Sequence, residues 1–383
     1  MNQSMLGLLD LSNNQISGVI PNWIWNIGDG SPCAYANQLN LSGNLLVGLQ
    51  RGYVIPPLHV LDLHSNQLYS ELPIPQDSTG YVDYSRNNFS SSMPAEIGNR
   101  ISTAYFFSFS RNMLSGPIPP SICNGSKLQV FDLSNNRFTS TIPQCLIYKC
   151  TATLGILNLR NNNLTGNIMG TFLEDCALRT LDLSENLLEG YVPKSLANCA
   201  NAEVLNLGTN NMNGNFRCFL ANLSELHVLV LRSNKFHGNI RCQEIHNYIW
   251  PKLQTIDLAL NNLNGILPPK FFSQRKAMMD GGNATPHLNH LRFESSYELE
   301  SLDLSWNKLG GSIPVTPCKS NISFIPELII QSTRWNDPKR PPTSNISRNF
   351  IQRKQRIMRS FFDRLLQESR TGTTDIGWYA IIY

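Results

Sequence analysis

Apolar and polar residues alternate over short segments that recur along the chain, as in LLDLSNNQISGVIP at residues 8–21. The recurring unit is L-x-x-L-x-L-x-x-N-x-L-x-G-x-I-P, and its x-L-x-L-x part has the period of two that is typical of a β-strand. The Asn of the unit occurs at twelve positions: Asn14, Asn44, Asn66, Asn87, Asn112, Asn136, Asn162, Asn186, Asn210, Asn234, Asn261 and Asn307. Between Asn66 and Asn261 these positions are 21 to 27 residues apart, which is typical of stacked structural repeats.

One such repeat cannot bury its own apolar side, so stability must come from contacts between neighbouring repeats. We expect the leucines of each strand to face a shared core and the strands to stack in parallel, about 4.8 Å apart. The Asn side chain carries both a donor and an acceptor, which suits it to turn the chain out of the strand. The pattern therefore predicts an α/β fold, a leucine-rich-repeat solenoid with a curved parallel β-sheet and short 3-10 or irregular segments on its convex side.

The text between the repeats resembles a particular family. The ending L-x-G-x-I-P is similar to the plant extracellular type of repeat, and the segments that carry Cys extend the likeness. These segments are LSGPIP (114–119), IPQCL (142–146), EDCALRTLDLSEN (174–186), PKSLANCANAEVLNLGTNN (193–211) and LGGSIP (309–314). Over residues 6–318 the chain resembles plant leucine-rich-repeat receptor-like proteins, the family that includes disease-resistance receptors.

Two segments depart from the repeat. Residues 269–298 interrupt the spacing, and KAMMDGGNATPHLNHLRF (276–293) is similar to the start of the island that interrupts late repeats in this family. We therefore assign residues 1–318 to a repeat domain of about twelve repeats and residues 319–383 to a non-repeat basic tail, for which disorder and an amphipathic helix are the two alternatives. Within the tail, residues 348–369 have the pattern of a basic amphipathic helix. This helix is interpreted either as a membrane-surface or calmodulin-binding type of segment, or as unrelated sequence joined to the repeats.

Composition points to the outside of the cell. Nine Cys and nine N-x-S/T sequons favour an extracellular protein. The candidate glycosylation sites are Asn40, Asn88, Asn124, Asn163, Asn222 and Asn283. No signal peptide and no apolar run of transmembrane length is recognised, so we expect the chain to begin inside a longer cell-surface receptor at the plasma membrane.

The sequence gives no sign of catalysis. It contains no Gly-rich phosphate loop, no kinase motifs and no hydrolase motif, so we predict that it is not an enzyme and uses no cofactor. His287 and His290 lack a third metal ligand at convincing spacing, and no metal site is predicted. Residues 1–318 are near neutral, with 20 Lys and Arg against 22 Asp and Glu, which argues against nucleic-acid binding.

Two pairs of Cys occupy nearly equivalent positions of adjacent repeats. Cys218 and Cys242 both follow their Asn by eight residues, and Cys176 and Cys199 follow theirs by 14 and 13. Equivalent positions of stacked repeats are close enough for a disulfide, so Cys176–Cys199 and Cys218–Cys242 are possible bridges. Reduced Cys that fill the convex side remain the alternative.

The concave face of the sheet is where ligand binding is expected. Residues that depart there from the small polar consensus are the candidates, because Arg and aromatic side chains are favoured anchors for peptides and proteins. The predicted ligand-binding residues are Tyr81, Arg86, Phe106, Arg111, Arg160, Val228, Val230, Arg232 and Trp306.

The resemblance implies a ligand-recognition ectodomain that binds a peptide or protein and signals, in defence or development, through partner receptor kinases. Two alternatives remain open. One is a soluble extracellular inhibitor of a microbial polygalacturonase, which shares the repeat type and needs no membrane anchor. The other is a non-functional fragment of a receptor gene.

Overall fold

The computed structural model describes residues 7–26, 38–148, 153–216, 218–240, 250–266, 301–311 and 328–329. The predicted insertion at residues 269–298 and the predicted helix at residues 348–369 lie outside these residues. The same holds for most of the tail at residues 319–383. These assignments stay predictions.

A single parallel sheet runs through the described repeats, with its strands in chain order. Its thirteen strands are Leu8–Asp10, Gln38–Asn40, Val60–Asp62, Tyr81–Asp83, Phe106–Ser108, Val130–Asp132, Ile156–Asn158, Thr180–Asp182, Val204–Asn206, Val228–Val230, Thr255–Asp257, Ser301–Asp303 and Leu328–Ile329. Neighbouring strands pair without a register shift, so Leu39 lies beside Leu61 and Leu61 beside Val82. The predicted leucine-rich-repeat solenoid is confirmed.

A second set of short strands follows the Asn of each repeat. These are Ser17–Ile20, Leu45–Leu49, Tyr69–Ser70, Asn88–Phe89, Ser115–Pro117, Arg137–Thr139, Thr165–Asn167, Leu187–Glu189, Asn213–Asn215, Lys235–Asn239, Asn262–Ile266 and Lys308–Gly310. Short helices complete several repeats on the convex side. They are the α-helices Ile97–Arg100 and Gln144–Tyr148 and the 3-10 helices Asn22–Asn26, Pro120–Asn124, Lys194–Asn198 and Cys218–Asn222.

The core lies between the main sheet and the convex segments. The central residue of most strands is fully buried, as Leu61, Leu157 and Leu229 are. In the fourth to sixth repeats aromatic rings take leucine positions, and the rings of Phe107 and Phe109 lie 4.3 Å apart between their centroids. This continuous core crosses every repeat boundary, so each repeat depends on its neighbours for burial.

The Asn of each repeat joins that repeat to the one before it. In the sixth repeat, Asn136 Nδ2 donates to the carbonyls of Phe109 at 2.9 Å and Leu133 at 3.1 Å. Its Oδ1 accepts from the backbone N–H of Leu114 at 3.0 Å. Phe109 and Leu114 belong to the preceding repeat, and Asn136 is buried. One side chain thus satisfies buried backbone groups of two repeats at once.

Two disulfides between described residues tie adjacent repeats together on the convex side. The structure joins Cys176 to Cys199, one of the two bridges considered from the sequence, with their Cα atoms 4.7 Å apart. It also joins Cys123 to Cys145, with their Cα atoms 5.9 Å apart, a pair that the sequence analysis did not propose. Cys242 lies outside the described residues, so its bridge to Cys218 stays a prediction.

The Asn bridge predicts a large effect of a small truncation. Asn136→Ala should lower the free energy of unfolding by about 1–3 kcal/mol, because it leaves the Leu114 N–H buried without a partner. The Phe109 carbonyl loses one of its two donors and keeps Asn112 Nδ2 at 3.1 Å. Urea denaturation followed by circular dichroism measures the change. Arg137→Ala, at the exposed next residue, is the matched control and should change little. Equal stabilities of the two variants would contradict the role given to Asn136.

The Cys176–Cys199 bridge closes a segment with a sequence separation of 23 residues. Because a disulfide restricts the unfolded chain, the double variant Cys176→Ala/Cys199→Ala should lose about 3 kcal/mol relative to the oxidised protein. Thermal unfolding of both proteins, with and without reductant, checks this. If the double variant is as stable as the oxidised protein, the bridge does not stabilise the fold.

Candidate functional site

Three residues of each repeat project from the concave face, opposite the leucine core. We call the residues at the end of each strand the middle column. They are Asp10, Asn40, Asp62, Asp83, Ser108, Asp132, Asn158, Asp182, Asn206, Val230, Asp257 and Asp303. Most of their Oδ1 atoms accept from the backbone N–H two residues ahead, as Asp132 Oδ1 does from Ser134 at 2.8 Å. This column therefore shapes the turn as well as the surface.

The apolar candidates form the floor of the concave face. Tyr81 and Phe106 are stacked with their ring centroids 4.3 Å apart, and they are 7% and 5% exposed. They belong to a buried cluster at the first projecting position of five consecutive strands. Val228 and Val230 form a second buried cluster with Val204. These four candidates shape the face but offer little contact area.

Two of the Arg candidates already have carboxylate partners. Arg232 lies 2.9 Å from Asp257 Oδ2 and 4.0 Å from Asp303 Oδ2, and its side chain is 20% exposed. Arg160 lies 2.7 Å from Glu185 Oε1. A ligand that binds either guanidinium must share it with these carboxylates.

The remaining candidates lie on one edge of the concave face, which we call the rim. The rim is the residue just before the Asn of each repeat, where the backbone has a positive φ in every described repeat. Arg86, Arg111 and Trp306 occupy it with φ values of 55°, 55° and 56°. All three side chains are exposed, Trp306 to 41%. The large side chains of the rim are therefore accessible to a ligand, whereas those of the floor are buried.

One cluster on the concave face was not anticipated from the sequence. Asp62, His64 and Asp83 place one donor atom each within 4.8 Å of one another. His64 Nδ1 lies 2.7 Å from Asp62 Oδ1. Burial disfavours a charged imidazole, but the hydrogen bond to Asp62 and its negative charge outweigh burial and raise the pKa of His64. The signal in the sequence is a His where most repeats carry Ser.

Buried acids also mark this face. Burial, followed by repulsion from Asp62, raises the pKa of Asp83 above its ordinary value. Burial raises the pKa of Asp132 to about 6, although its hydrogen bond from Ser134 works in the opposite direction. Other acids have close partners, as Asp182 Oδ2 accepts from Asn206 Nδ2 at 2.9 Å. The carboxylates of the face are therefore not equivalent.

The candidate glycosylation sites differ in access. Asn88, Asn124, Asn163 and Asn222 are exposed. Asn40 is buried and its Nδ2 lies 3.3 Å from Asp10 Oδ2, so a glycan there would have to displace a middle-column contact. Asn283 lies outside the described residues.

Among the described helices, each is too short and too polar to cross a bilayer.

Comparison with known proteins agrees with this geometry. The family model described as Leucine Rich Repeat matches residues 5–27, 127–148, 177–199 and 298–320. Receptor-like protein 35 of Arabidopsis thaliana is 32% identical over 350 residues, which are 86% of this chain and 31% of that protein. Receptor-like protein 53 of the same plant is 32% identical over 352 residues, or 86% of this chain and 30% of that protein.

Several solved plant receptors share this architecture. The peptide hormone receptor RGFR1 in complex with RGF2 is 25% identical with a TM-score of 0.62, covering 79% of this chain and 43% of that chain. PEPR1–AtPEP1 is 28% identical with a TM-score of 0.62, covering 80% of this chain and 42% of that chain.

This chain spans about a third of the length of the curated relatives it matches. It belongs to the leucine-rich-repeat proteins, and the proteins that it matches over most of its own length are plant receptor-like proteins.

Proposed function

We propose that the chain is the ligand-recognition region of a plant receptor-like protein and binds a peptide or protein along the rim and concave face. The observation that carries the proposal is the choice of residues on the rim. A positive φ suits Asn and is costly for bulky residues, by about 1 kcal/mol or more. The rim nevertheless holds Arg86, Arg111 and Trp306, all exposed. Large, exposed side chains at a backbone position that is costly for them favour a role in binding.

Arg86 and Arg111 lie on consecutive repeats, and their backbones are held alike. The backbone N–H of Arg86 donates to the Ser110 carbonyl at 2.8 Å, and that of Arg111 donates to the Ser134 carbonyl at 2.8 Å. Within the described residues neither guanidinium has a carboxylate partner, unlike Arg160 and Arg232. Two such guanidinium groups on adjacent turns suit carboxylate groups of a ligand, which Arg binds through paired hydrogen bonds.

The likeness to receptor-like proteins and to receptors solved with peptides supports recognition rather than catalysis. By the same likeness we infer a place at the cell surface and signalling through a partner receptor kinase, in defence or development. We infer from the family resemblance that the predicted insertion at residues 269–298 and the last repeats contact that partner.

The middle column also carries a carboxylate whose negative charge the fold does not need. Asp132 is buried, and no cation lies within ion-pair distance of it among the described residues. Asn occupies the same column at Asn158 and Asn206 and accepts the same backbone hydrogen bond. A charged group kept where its neutral isostere fits lowers stability at neutral pH, which is typical of functional surfaces.

Asp132→Asn should therefore stabilise the protein in a pH-dependent way. The folded state keeps the Asp132 proton up to about pH 6, whereas the unfolded chain releases it near pH 3.8. The free energy of unfolding of the protein therefore falls as the pH rises between these values. The gain from the substitution should be about 2–3 kcal/mol larger at pH 7.5 than at pH 4. Urea denaturation at both pH values measures it, with Glu189→Gln as the surface control. A pH-independent gain would show that Asp132 is not strained by burial.

The rim predicts which substitutions abolish recognition. Peptides selected from a display library of secreted plant sequences on the full chain should bind the double variant Arg86→Ser/Arg111→Ser at least about tenfold more weakly, because each charge-assisted hydrogen bond contributes about 1.5–3 kcal/mol. Ser occupies the rim at Ser65 and Ser233, so the fold should be preserved.

Arg137→Ser, on a strand outside the concave face, is the matched control for charge and should leave the affinity unchanged. Surface plasmon resonance on the purified variants gives the comparison. Unchanged affinity of the selected peptides for the Arg86/Arg111 double variant and for Trp306→Ser would reject the rim as the binding site.

A further inference from the structure

We propose that Asp62, His64 and Asp83 bind a divalent transition-metal cation such as Zn²⁺ on the concave face. Two adjacent strands supply the residues, since Asp62 of Val60–Asp62 pairs directly with Asp83 of Tyr81–Asp83. His64 follows its strand by two residues and projects from the same face. One donor atom from each residue lies within 4.8 Å of the others.

The chemistry of the three ligands selects the class of metal. One imidazole nitrogen and two carboxylate oxygens suit Zn²⁺ and neighbouring transition metals, whereas Ca²⁺ and Mg²⁺ prefer oxygen ligands alone. Zn²⁺ lies about 2.0–2.2 Å from such atoms, which places tetrahedral ligands roughly 3.4 Å apart. Separations of up to 4.8 Å would have to shorten by up to about 1.4 Å, and the 2.7 Å contact between His64 Nδ1 and Asp62 Oδ1 would have to lengthen by about 0.7 Å. The His64 side chain is 37% exposed and has room for this adjustment.

A second observation favours cation binding at this place. The side chain of Asp62 is only 8% exposed, and its Oδ2 accepts no hydrogen bond from the described residues. Asp182 Oδ2 accepts from Asn206 and Asp257 Oδ2 from Arg232, whereas Asp62 Oδ2 has no such donor in the described part of the chain and is accessible to solvent. A carboxylate oxygen without a protein donor is available to a cation.

The carboxylates are held in place by the backbone. Asp62 Oδ1 accepts from the N–H of His64 at 3.0 Å, and Asp83 Oδ1 accepts from the N–H of Ser85 at 2.9 Å. Tyr81 Oη lies 3.5 Å from Asp83 Oδ2. Such outer contacts fix the orientation of metal ligands before the metal arrives. The metal would take the place of the proton between His64 Nδ1 and Asp62, and solvent would supply the remaining ligand.

The charges around the cluster leave room for a dication. Two carboxylates face His64, and among the described residues the positive side chain that acts on it is Arg86, on the exposed rim. Because Arg86 is exposed, water screens it more than it screens the buried acids. A Zn²⁺ ion would balance the two carboxylates and leave the imidazole neutral, as metal ligation requires.

The test is isothermal titration of the oxidised full chain with Zn²⁺. The wild-type protein should bind one more Zn²⁺ than His64→Ser, a variant that restores the residue found at Ser85, Ser110 and Ser134. Asp83→Asn keeps the shape and the acceptor for Ser85, and should bind at this site at least about tenfold more weakly. Zn²⁺ should also raise the melting temperature of the wild type more than that of either variant.

His59→Ser removes an imidazole one position before the same strand and is the matched control; it should bind like the wild type. If His64→Ser does not fold, the Asp83→Asn titration decides the question alone. Equal stoichiometry and affinity in the wild type and both site variants would overturn the proposal. Ca²⁺ binding at this site as tight as Zn²⁺ binding would contradict the part given to the imidazole.

Discussion

A buried or half-buried Asn side chain joins each described repeat after the first to its predecessor, and the arrangement of every other feature depends on it. Asn44 Nδ2 donates to the Leu11 carbonyl at 2.8 Å, and Asn307 Nδ2 donates to the Leu258 carbonyl at 2.9 Å. The same contact therefore recurs from one end of the described sheet to the other. Because one amide serves the backbone of two repeats, it sets how the next strand is placed on the last. The strand register, and with it the columns of the concave face, follows from this contact.

The Asn contact also explains where the sequence is free to vary. Once the amide satisfies the turn, the positions just before it need only a suitable backbone conformation and access to solvent. Ser, His and Arg all occur two residues after the strand, at Ser134, His64 and Arg232. The rim holds Asn135, Arg86 and Trp306 at equivalent places. These substitutions change the chemistry of the face while the scaffold stays the same. Proteins with one repeat architecture can therefore bind different ligands.

The leucine and Asn spacing predicted the fold because both residue types are dictated by contacts between repeats. The Cys176–Cys199 pair was within reach of the same reasoning, since its residues follow their Asn at nearly equal distances. Cys123 and Cys145 follow theirs by 11 and nine residues, because one lies in a 3-10 helix and the other in an α-helix. The local type of helix shifts the register, and the spacing alone does not reveal it.

The site was only partly accessible from the sequence. The exposure of Arg86, Arg111 and Trp306 follows from their place beside the Asn, but the burial of Tyr81 depends on Phe106 and Tyr105 of the next repeat. Likewise, the pairing of Arg232 with Asp257 requires two repeats to be superposed. His64 was not singled out from the sequence, because its closeness to both Asp62 and Asp83 also depends on two superposed repeats. Each of these features depends on contacts between repeats, which the sequence of a single repeat does not reveal.

Hydrogen–deuterium exchange of the full chain with and without a selected peptide tests concave-face recognition most directly. Binding along the rim should slow exchange in residues 84–89 and 109–114, which flank Arg86 and Arg111. The convex helices Ile97–Arg100 and Pro120–Asn124 of the same repeats should exchange as before. Slowed exchange confined to those helices, with the rim segments unchanged, would contradict recognition by the concave face.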